Sequence, residues 1–342
     1  MTSPLTEDEL ATVARVMREA GAEVAGALSA TVLAGGRSNL TVRLEDADGG
    51  RWVLRMPPRT GRTPSAHDVV REHRITRGLG ATDVPVPTAV VACEDETLLG
   101  GAFAVSAFAD GTCVQSREQL DALDAPTLSA VVDELVTVLA RLHEVDVAAC
   151  GLDTLGRPSG YADRQLRRWS GQWALVGDPT LSALEAEVRQ RLEATRPVRQ
   201  DAAAVVHGDY RIDNTLLDLG PGSARVTAVV DWELCTLGDP VADVAMMCAY
   251  RDPAFDLVIG SATAWASPRL PSPDGLAAAY CDAGGVELAD WDFHLALARY
   301  KIAVIAAGIA HRRAAGGSTD PGTALAHTAV RPFLEAALAP PG

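Results

Sequence analysis

The chain has 342 residues, of which 48% are hydrophobic, with 45 acidic against 30 basic side chains and a formal net charge of -15. This length and hydrophobic content predict about two domains with buried cores and exclude a disordered chain, and the acidic balance argues against nucleic acid as a partner. No unbroken apolar run reaches about eighteen residues, and the first residues, MTSPLTEDEL, are too acidic for a signal peptide, so we expect a cytoplasmic protein without a membrane partner.

The first hundred residues predict a small antiparallel sheet. Thr6 and Glu9 have the spacing of a capping box and start an amphipathic helix. Three strands are expected between residues 27 and 57, separated by the segment AGGRSN and the turn ADGG. A helix from Ser65 to Leu79, with Glu72 near its middle, precedes two further strands in VPVPTAVVACED and GAFAVSAFADG. Five strands with a single inserted helix therefore form a first domain, residues 1–108.

The remaining residues, 109–342, predict a second domain that is mostly helical. The segment ADGTC carries a turn signal and is expected to act as the hinge. Apolar residues recur at helical spacing between Leu128 and His143. Further helices are expected at Tyr161–Trp173, Leu181–Ala194, Leu276–Cys281, Phe293–Ala314 and Leu325–Leu338.

A polar loop, VHGDYRIDNTL at residues 206–216, lies between two apolar runs, and a second apolar strand, VTAVVDWE, ends near Asp231. Transfer of a phosphoryl group from a nucleotide needs a carboxylate that orients and deprotonates the attacking hydroxyl, and oxygen ligands that hold Mg²⁺ on the phosphates. Asp209 fits the first requirement, and Asn214 and Asp231 fit the second, because their spacing is that of the kinase catalytic and metal loops. His207 is expected to orient the loop through a hydrogen bond rather than to bind metal.

Three collinear segments, HGDYRIDN, VVDWE and LGDPVADVA, resemble those of the aminoglycoside phosphotransferase and choline kinase group of small-molecule kinases. The resemblance implies an α+β, bilobal protein-kinase-like fold, with an antiparallel sheet plus one helix in the N-terminal lobe and a mostly helical C-terminal lobe. It also implies ATP and Mg²⁺ as cofactors and a small-molecule hydroxyl as the acceptor. Asp239 and Asp243 are expected to be structural and to cap a helix that starts near Pro240.

The same resemblance assigns nucleotide-binding residues in the first domain. They are Gly35, Gly36, Ser38, Arg55, Glu72, Ser106 and Phe108. The glycines would close over the phosphates through backbone N–H groups, and Arg55, steadied by Glu72, would contact the phosphates. These kinases usually have lysine in place of Arg55, and the chain's single lysine, Lys301, is far away in sequence, so no lysine can take this role here.

Within this group, GGRSNLT, VLRMPP, SAHDVVREHRI and DWELCTLGDPVAD resemble the branch related to kinase domains fused to acyl-CoA dehydrogenases. That branch implies a hydroxyacyl thioester as the substrate. Arg164, Arg167 and Arg168 share one helix face, which could hold the phosphates of coenzyme A or form a solvated surface. Trp169 and Trp173 on this helix are interpreted as packing residues. An aminoglycoside-type phosphotransferase, which the acidic charge favours, and a catalytically silent nucleotide-binding homologue are the alternatives.

Other enzyme classes leave no motif in the chain. The phosphate loop G-x-x-x-x-G-K-[ST], the dinucleotide turn G-x-G-x-x-G and the nucleophile elbow G-x-S-x-G are all missing from the sequence. The pair His143-Glu144 lacks the second histidine of a zinc protease and is expected to be a helix-end feature. A kinase-like phosphotransferase is therefore the function that the sequence favours.

Overall fold

A computed structural model of the protein describes residues 4–33, 39–58, 68–157, 159–198, 200, 203–317 and 320–339. The chain divides into two compact units, called here the first and the second unit. The first unit contains Met1–Gly111, Cys150–Leu152 and Thr227–Leu234, and the second contains Thr112–Ala149, Asp153–Val226 and Cys235–Gly342. Two short segments from later in the chain therefore belong to the first unit.

The first unit is built on a five-stranded antiparallel sheet with the strand order β1-β2-β3-β5-β4. Its elements are α1 (Glu7–Glu19), β1 (Ser29–Val32), β2 (Leu40–Glu45), β3 (Arg51–Met56), α2 (Val69–Leu79), β4 (Ala89–Cys93), α3 (Glu96–Leu99) and β5 (Phe103–Ala107). The predicted capping box starts α1: the Thr6 hydroxyl accepts from the N–H of Glu9 at 3.2 Å, and the Glu9 carboxylate accepts from the N–H of Thr6 at 2.8 Å.

Strands β2 and β3 present different residues to the two faces of the sheet. Val42, Leu44, Leu54 and Met56 are buried and pack in one cluster with apolar residues of α1. Successive side chains of a strand point to opposite faces, so Arg55, between Leu54 and Met56, points away from this cluster. Helix α2 packs against β4 and β5. The alternation of β3 thus directs Arg51 and Arg55 toward the face of the sheet opposite this cluster.

The second unit is mostly helical, as the sequence predicted. Its elements are α4 (Arg117–Asp121), α5 (Ala125–His143), α6 (Tyr161–Val176), α7 (Ser182–Ala194), β6 (Ala204–Val206), β7 (Thr215–Gly220), β8 (Ser223–Val229), β9 (Thr236–Gly238), α8 (Pro240–Ala249), α9 (Phe255–Ile259), α10 (Pro273–Asp282), α11 (Trp291–Ala314) and α12 (Ala326–Leu338). Strand β6 pairs with β9, and β7 pairs with β8, whose last residues belong to the first unit. The polar loop of the sequence motif connects β6 to β7.

Helix α11 is the core helix of the second unit and packs against α6, α8 and α12. By length and composition it could cross a membrane, since an 18-residue window has a mean hydropathy of 1.4, although Arg299 and Lys301 interrupt its apolar residues. However, 72% of this window is buried inside the structure, the pattern of a helix at the centre of a protein core. The apolar character of α11 is therefore used in packing.

Among the differences from the predicted elements, three concern the first unit and the first long helix of the second unit. Helix α2 begins at Val69 with Asp68 as its N-cap, and the predicted cap Ser65 lies outside the described residues. A second short helix, α3, lies between β4 and β5, so the first unit does not have a single inserted helix. Helix α5 begins at Ala125 rather than Leu128, because Asp124 caps it and a proline, tolerated in the first turn, follows.

Candidate active site

The first unit brings together Arg55, Glu72 and Asp231. Arg55 Nη1 lies 2.8 Å from Glu72 Oε2, and Arg55 Nη2 lies 3.5 Å from Asp231 Oδ1. The Glu72 side chain is 8% exposed, whereas that of Asp231 is 38% exposed. One guanidinium therefore faces a buried and an accessible carboxylate, and the pair of Arg55 and Glu72 forms as the sequence predicted.

The surroundings of Glu72 oppose its ionisation. Burial raises the pKa of Glu72 to about 7, and the carboxylates of Asp231 and Glu233 add to the rise, while Arg55 and a hydrogen bond from Asn39 oppose it. Asn39 Nδ2 donates to Glu72 Oε1 at 3.2 Å. Near neutral pH the contact with Arg55 therefore changes between an ion pair and a hydrogen bond to a neutral carboxyl group.

Asp231 has an unusual backbone conformation. Its φ of 64° lies in the left-handed region, which among the non-glycine residues described is shared only with Asp290. Side chains with a Cβ atom rarely adopt this conformation, and residues that do so are concentrated at functional sites. The chain turns in this way directly after β8, and the turn presents the Asp231 carboxylate to Arg55.

The structure describes only some of the other residues that were predicted to bind the nucleotide. Gly35, Gly36 and Ser38 lie outside the described residues. Ser106 is half-buried on β5, in register with Val53 of β3. Its predicted contact with a nucleotide stays a prediction.

Phe108 follows β5 and lies against two arginines of the same sheet, on β2 and β3. The guanidinium carbons of Arg43 and Arg51 are 5.4 Å and 4.9 Å from its ring centroid. Arg51 also pairs with Asp110, with Nη2 at 2.7 Å from Oδ2. Cation–π contacts thus hold the ring in place within the first unit, and its predicted role beside a nucleotide is likewise untested.

In the second unit, Asp243 of α8 fastens the loop that carries the sequence motif. Its fully buried carboxylate accepts from the backbone N–H groups of His207 at 2.6 Å and Gly208 at 2.8 Å, and lies 3.4 Å from His143 Nε2. His143 Nδ1 in turn lies 2.8 Å from the Tyr280 hydroxyl. Two backbone donors on one carboxylate fix the path of the loop just before Asp209.

These contacts correct one prediction and agree with three others. Asp239 caps α8, which starts at Pro240 as predicted, but Asp243 holds the loop instead of capping the helix. His143 lies at the end of α5, and it is also part of the buried network around Asp243. His207 orients the loop as expected, because its Nδ1 accepts from the N–H of Asp209 at 3.2 Å.

Asp209 is surrounded by hydrogen-bond donors. Arg211 Nε and Nη2 lie 3.2 and 3.3 Å from its two carboxylate oxygens, and Asn214 Nδ2 lies 3.1 Å from Oδ2. Burial alone would raise the pKa of Asp209, but Arg211 and a hydrogen bond from Tyr250 outweigh it and hold that pKa below its ordinary value. Asp209 is therefore ionised at neutral pH, and its oxygens are held in a defined orientation.

Arg211 is a site residue that the sequence reasoning missed. Besides holding Asp209, its Nη1 lies 2.5 Å from Asp213 Oδ2, and its guanidinium carbon lies 5.2 Å and 5.3 Å from the ring centroids of Tyr250 and Phe255. The segment DYRID contained a signal for the ion pairs, since an arginine between two aspartates at alternate positions can reach both. The two aromatic rings come from residues much later in the chain and left no such signal.

Lys301 is a second residue that the sequence reasoning missed. Its Nζ donates to the backbone carbonyl of Gly208 at 3.2 Å, next to Asp209. The two residues are 93 positions apart in the chain, so no local pattern connects them. The chain's single lysine thus lies beside the loop of the second unit.

The predicted arginine face of α6 is divided between different partners. Arg164 donates to the backbone carbonyls of Ser159 and, at 2.7 Å, of Arg157, and so stabilises the segment before the helix. Arg167 is exposed, and the guanidinium carbon of Arg168 lies 5.3 Å from the ring centroid of Trp169. The three arginines therefore have different surroundings, and their predicted contact with a phosphate stays a prediction.

The residues assigned to Mg²⁺ have the chemistry that this cation prefers. The amide nitrogen of Asn214 is committed to Asp209, to its carbonyl at 2.8 Å and to its carboxylate, which leaves the Asn214 side-chain oxygen as an acceptor for a cation. The accessible carboxylate of Asp231 is the other assigned ligand. Hard oxygen donors of these two kinds fit Mg²⁺.

An ionised aspartate oriented by an asparagine five positions later, and an antiparallel sheet with a cation–carboxylate pair, are features of kinase-like phosphotransferases. Family comparison leads to the same class. The family described as APH, phosphotransferase enzyme family, matches residues 29–297, and the chain belongs to this family. The resemblance drawn from the three sequence segments is thereby confirmed, as is the predicted enzyme class.

Comparison with a single relative indicates a branch within this family. It is 34% identical over 293 residues to mouse acyl-CoA dehydrogenase family member 10, a match that covers 84% of this chain and 27% of that protein. The chain thus spans about a quarter of the length of this relative. The relative belongs to the branch that the sequence segments resembled.

Solved structures confirm the predicted fold class. One similar crystal structure is that of a protein from Ralstonia eutropha JMP134 assigned as an aminoglycoside phosphotransferase. Its TM-score is 0.81 and its sequence identity is 30%, with 96% of each chain covered. Aminoglycoside phosphotransferase APH(4)-Ia, in a ternary complex with AMP-PNP and hygromycin B, has a TM-score of 0.60 at 20% identity, covering 91% of this chain and 94% of that one. The second likeness shows the fold alone.

Proposed function

We propose that the protein transfers the γ-phosphoryl group of ATP to a hydroxyl group of a small molecule, with Mg²⁺ bound to the nucleotide. The observation that carries this proposal is the Asp209 carboxylate, which is ionised and is oriented by Arg211 and Asn214. The nucleotide is supported by APH(4)-Ia, which has the same fold and was crystallised with AMP-PNP. Membership of the phosphotransferase family supports the reaction type.

In the proposed reaction, the acceptor oxygen forms a bond to the γ-phosphorus while the bond from that phosphorus to the β–γ bridging oxygen breaks, which releases ADP. Asp209 hydrogen-bonds the acceptor hydroxyl and takes its proton. A carboxylate with a lowered pKa is a weak base, so its main contribution is to orient the hydroxyl, and the proton moves late.

The other residues act on the phosphates. Arg55, steadied by Glu72, neutralises phosphate oxygens, and its planar fork can bind two of them at once where a lysine would bind as a point charge. Asn214 and Asp231 are the ligands that we assign to Mg²⁺, which would supply positive charge to the phosphates of the nucleotide. Ser106 and Phe108 are assigned to the nucleotide from sequence.

The proposed acceptor is a hydroxyacyl thioester of coenzyme A. Support comes from the 34% identity to a protein named as an acyl-CoA dehydrogenase family member, a name that describes acyl-CoA chemistry. An aminoglycoside is the second candidate, favoured by the similarity to the Ralstonia eutropha structure.

Calorimetry with MgATP and an ADP-release assay test the proposal. Asp209→Asn should keep MgATP binding and lose turnover, because it removes the base but not a nucleotide contact. Asp231→Asn should weaken MgATP binding in a metal-dependent way. Asp218→Asn is the matched control, since Asp218 is 65% exposed on β7 and pairs only weakly with Arg225. Equal turnover by Asp209→Asn and the wild type would show that the base is assigned wrongly.

A further inference from the structure

Lys301 and Arg168 lie against the same aromatic ring. Lys301 Nζ is 5.7 Å and the Arg168 guanidinium carbon is 5.3 Å from the ring centroid of Trp169. Trp169 is half-buried, while Trp173, one turn later on α6, is buried in the core. The two tryptophans therefore differ: Trp173 packs as the sequence predicted, and Trp169 forms a platform for two cations.

The two cations are close enough to disfavour each other. Burial lowers the pKa of Lys301, the carboxylates of Asp209 and Asp243 oppose this effect, and Arg168 adds a smaller lowering. Among the described residues, neither Lys301 nor Arg168 has a carboxylate within 4.0 Å. Two like charges on one indole ring repel each other, although solvent screens the exposed Arg168, and an anion bound beside them would be attracted by both.

Lys301 is also tied to the reaction centre. Its hydrogen bond to the carbonyl of Gly208 fixes Nζ beside the residue that precedes Asp209. An ammonium group has three N–H donors, and this bond uses one of them. The donors that remain are therefore held near the position of the acceptor hydroxyl.

We infer that Lys301 and Arg168, positioned on Trp169, bind an oxyanion of the phosphate acceptor. This inference rests on the proposed function, because it places the oxyanion on the molecule whose hydroxyl meets Asp209. A phosphate of coenzyme A is the oxyanion that the proposed thioester acceptor carries; a carboxylate on the same carbon chain as the hydroxyl, in a free hydroxy acid, is the other source of this chemistry. A polycationic aminoglycoside is disfavoured at this position because it would meet two like charges.

Three kinds of acceptor separate the sources of the oxyanion. They are straight-chain hydroxy acids that differ in the position of the hydroxyl, the pantetheine thioesters of these acids, which lack phosphate, and the coenzyme A thioesters. Lys301→Met and Arg168→Met remove each charge and keep an apolar side chain of similar length. Arg167→Met is the matched control, because Arg167 is exposed on the same helix.

We expect Lys301→Met to raise the KM for the anionic acceptor by about tenfold or more, the usual worth of a hydrogen bond to a charged group, and to leave the KM for ATP unchanged. Lys301→Arg should restore part of the lost affinity for the acceptor. If the KM rises only for the free hydroxy acids, the oxyanion is the carboxylate; if it rises only for the coenzyme A esters, the oxyanion is a phosphate. An equal effect on the uncharged pantetheine esters, or no effect on any acceptor, would overturn the inference.

A binding measurement separates this inference from the proposed function. In the Asp209→Asn background, calorimetric titration of the same acceptors reports acceptor binding without turnover. Loss of binding on adding Lys301→Met supports the oxyanion site even if the wild type transfers no phosphate to that acceptor. If MgATP does not bind the wild type, the proposed function fails, whatever the acceptors do.

Discussion

Arg211 holds both carboxylate oxygens of Asp209, with Nε at 3.2 Å from Oδ1 and Nη2 at 3.3 Å from Oδ2. Only a planar guanidinium can reach two oxygens of one carboxylate in this way. Arg211 is itself held between the rings of Tyr250 and Phe255. The orientation of the proposed base therefore depends on an arginine two positions later.

Replacing Arg211 with Met should change the pH dependence of turnover. Arg211 holds the pKa of Asp209 below its ordinary value, so its loss should raise that pKa and move the acidic limb of the kcat profile toward neutral pH. We also expect kcat to fall by about tenfold or more, because the carboxylate loses its fixed orientation. The measurement is kcat for the ADP-release reaction as a function of pH.

Two further variants control this experiment. Arg211→Lys keeps a charge but cannot bind both oxygens of Asp209. We therefore expect it to return the acidic limb close to its wild-type pH but to leave the maximal kcat below that of the wild type. Arg225→Met removes an exposed arginine and should leave the profile unchanged. An unshifted acidic limb in Arg211→Met would show that Asp209 does not depend on this contact.

The sequence predicted those parts of the site that depend on local patterns. Asp209 and Asn214 lie on one short loop, and Arg55 alternates with buried Leu54 and Met56, so spacing and strand periodicity were sufficient. The pairing of Arg55 with Glu72 followed from the resemblance and is present in the structure.

The sequence could not predict contacts that depend on tertiary packing. Lys301 reaches Gly208 from a helix 93 positions later, and Asp243 reaches the same loop from α8. Asp243 was expected to cap its own helix, but capping is a local interaction, and here the buried N–H groups of the loop are the stronger partners. Placement of residues 227–234 in the first unit likewise depends on packing.

Replacing Asp243 with Asn should destabilise the protein and weaken its activity. An amide cannot accept from both backbone N–H groups with a full charge, so we expect a loss of about 3 kcal/mol in the free energy of unfolding. Activity should fall too, because the loop carries Asp209. Urea denaturation measures the first effect, and the exposed Asp282→Asn serves as the control. A loss below about 1 kcal/mol would contradict the anchoring role.

Glu72 should make stability depend on pH. Its pKa rises from an ordinary 4.5 to about 7 in the folded protein, so between these values the folded state binds a proton that the unfolded state has lost. The contribution of Glu72 to the free energy of unfolding is therefore fully present below pH 4.5 and is lost as the pH rises to about 7. This contribution amounts to about 3 kcal/mol.

Glu72→Gln isolates this effect, because glutamine stays neutral and keeps a hydrogen-bond acceptor for Arg55. The free energies of unfolding of wild type and variant, measured by urea denaturation across this pH range, should diverge as pH rises, with the wild type losing more. Parallel curves would show that Glu72 keeps its ordinary pKa beside Arg55.

The left-handed backbone of Asp231 predicts an unusual order of stabilities. Alanine is strained at a φ of 64° by about 1 kcal/mol and glycine is not, so Asp231→Gly should be at least as stable as Asp231→Ala. The exposed Asp292, in the first turn of α11, is the matched control, and there alanine should be the more stable by about 1 kcal/mol. Thermal unfolding of the four variants measures both differences. If alanine is the more stable replacement at both positions, the conformation assigned to Asp231 is wrong. If the order is reversed at Asp231, as we expect, Asp231→Asn is a better probe of the proposed metal ligand than Asp231→Ala, because asparagine tolerates this backbone conformation.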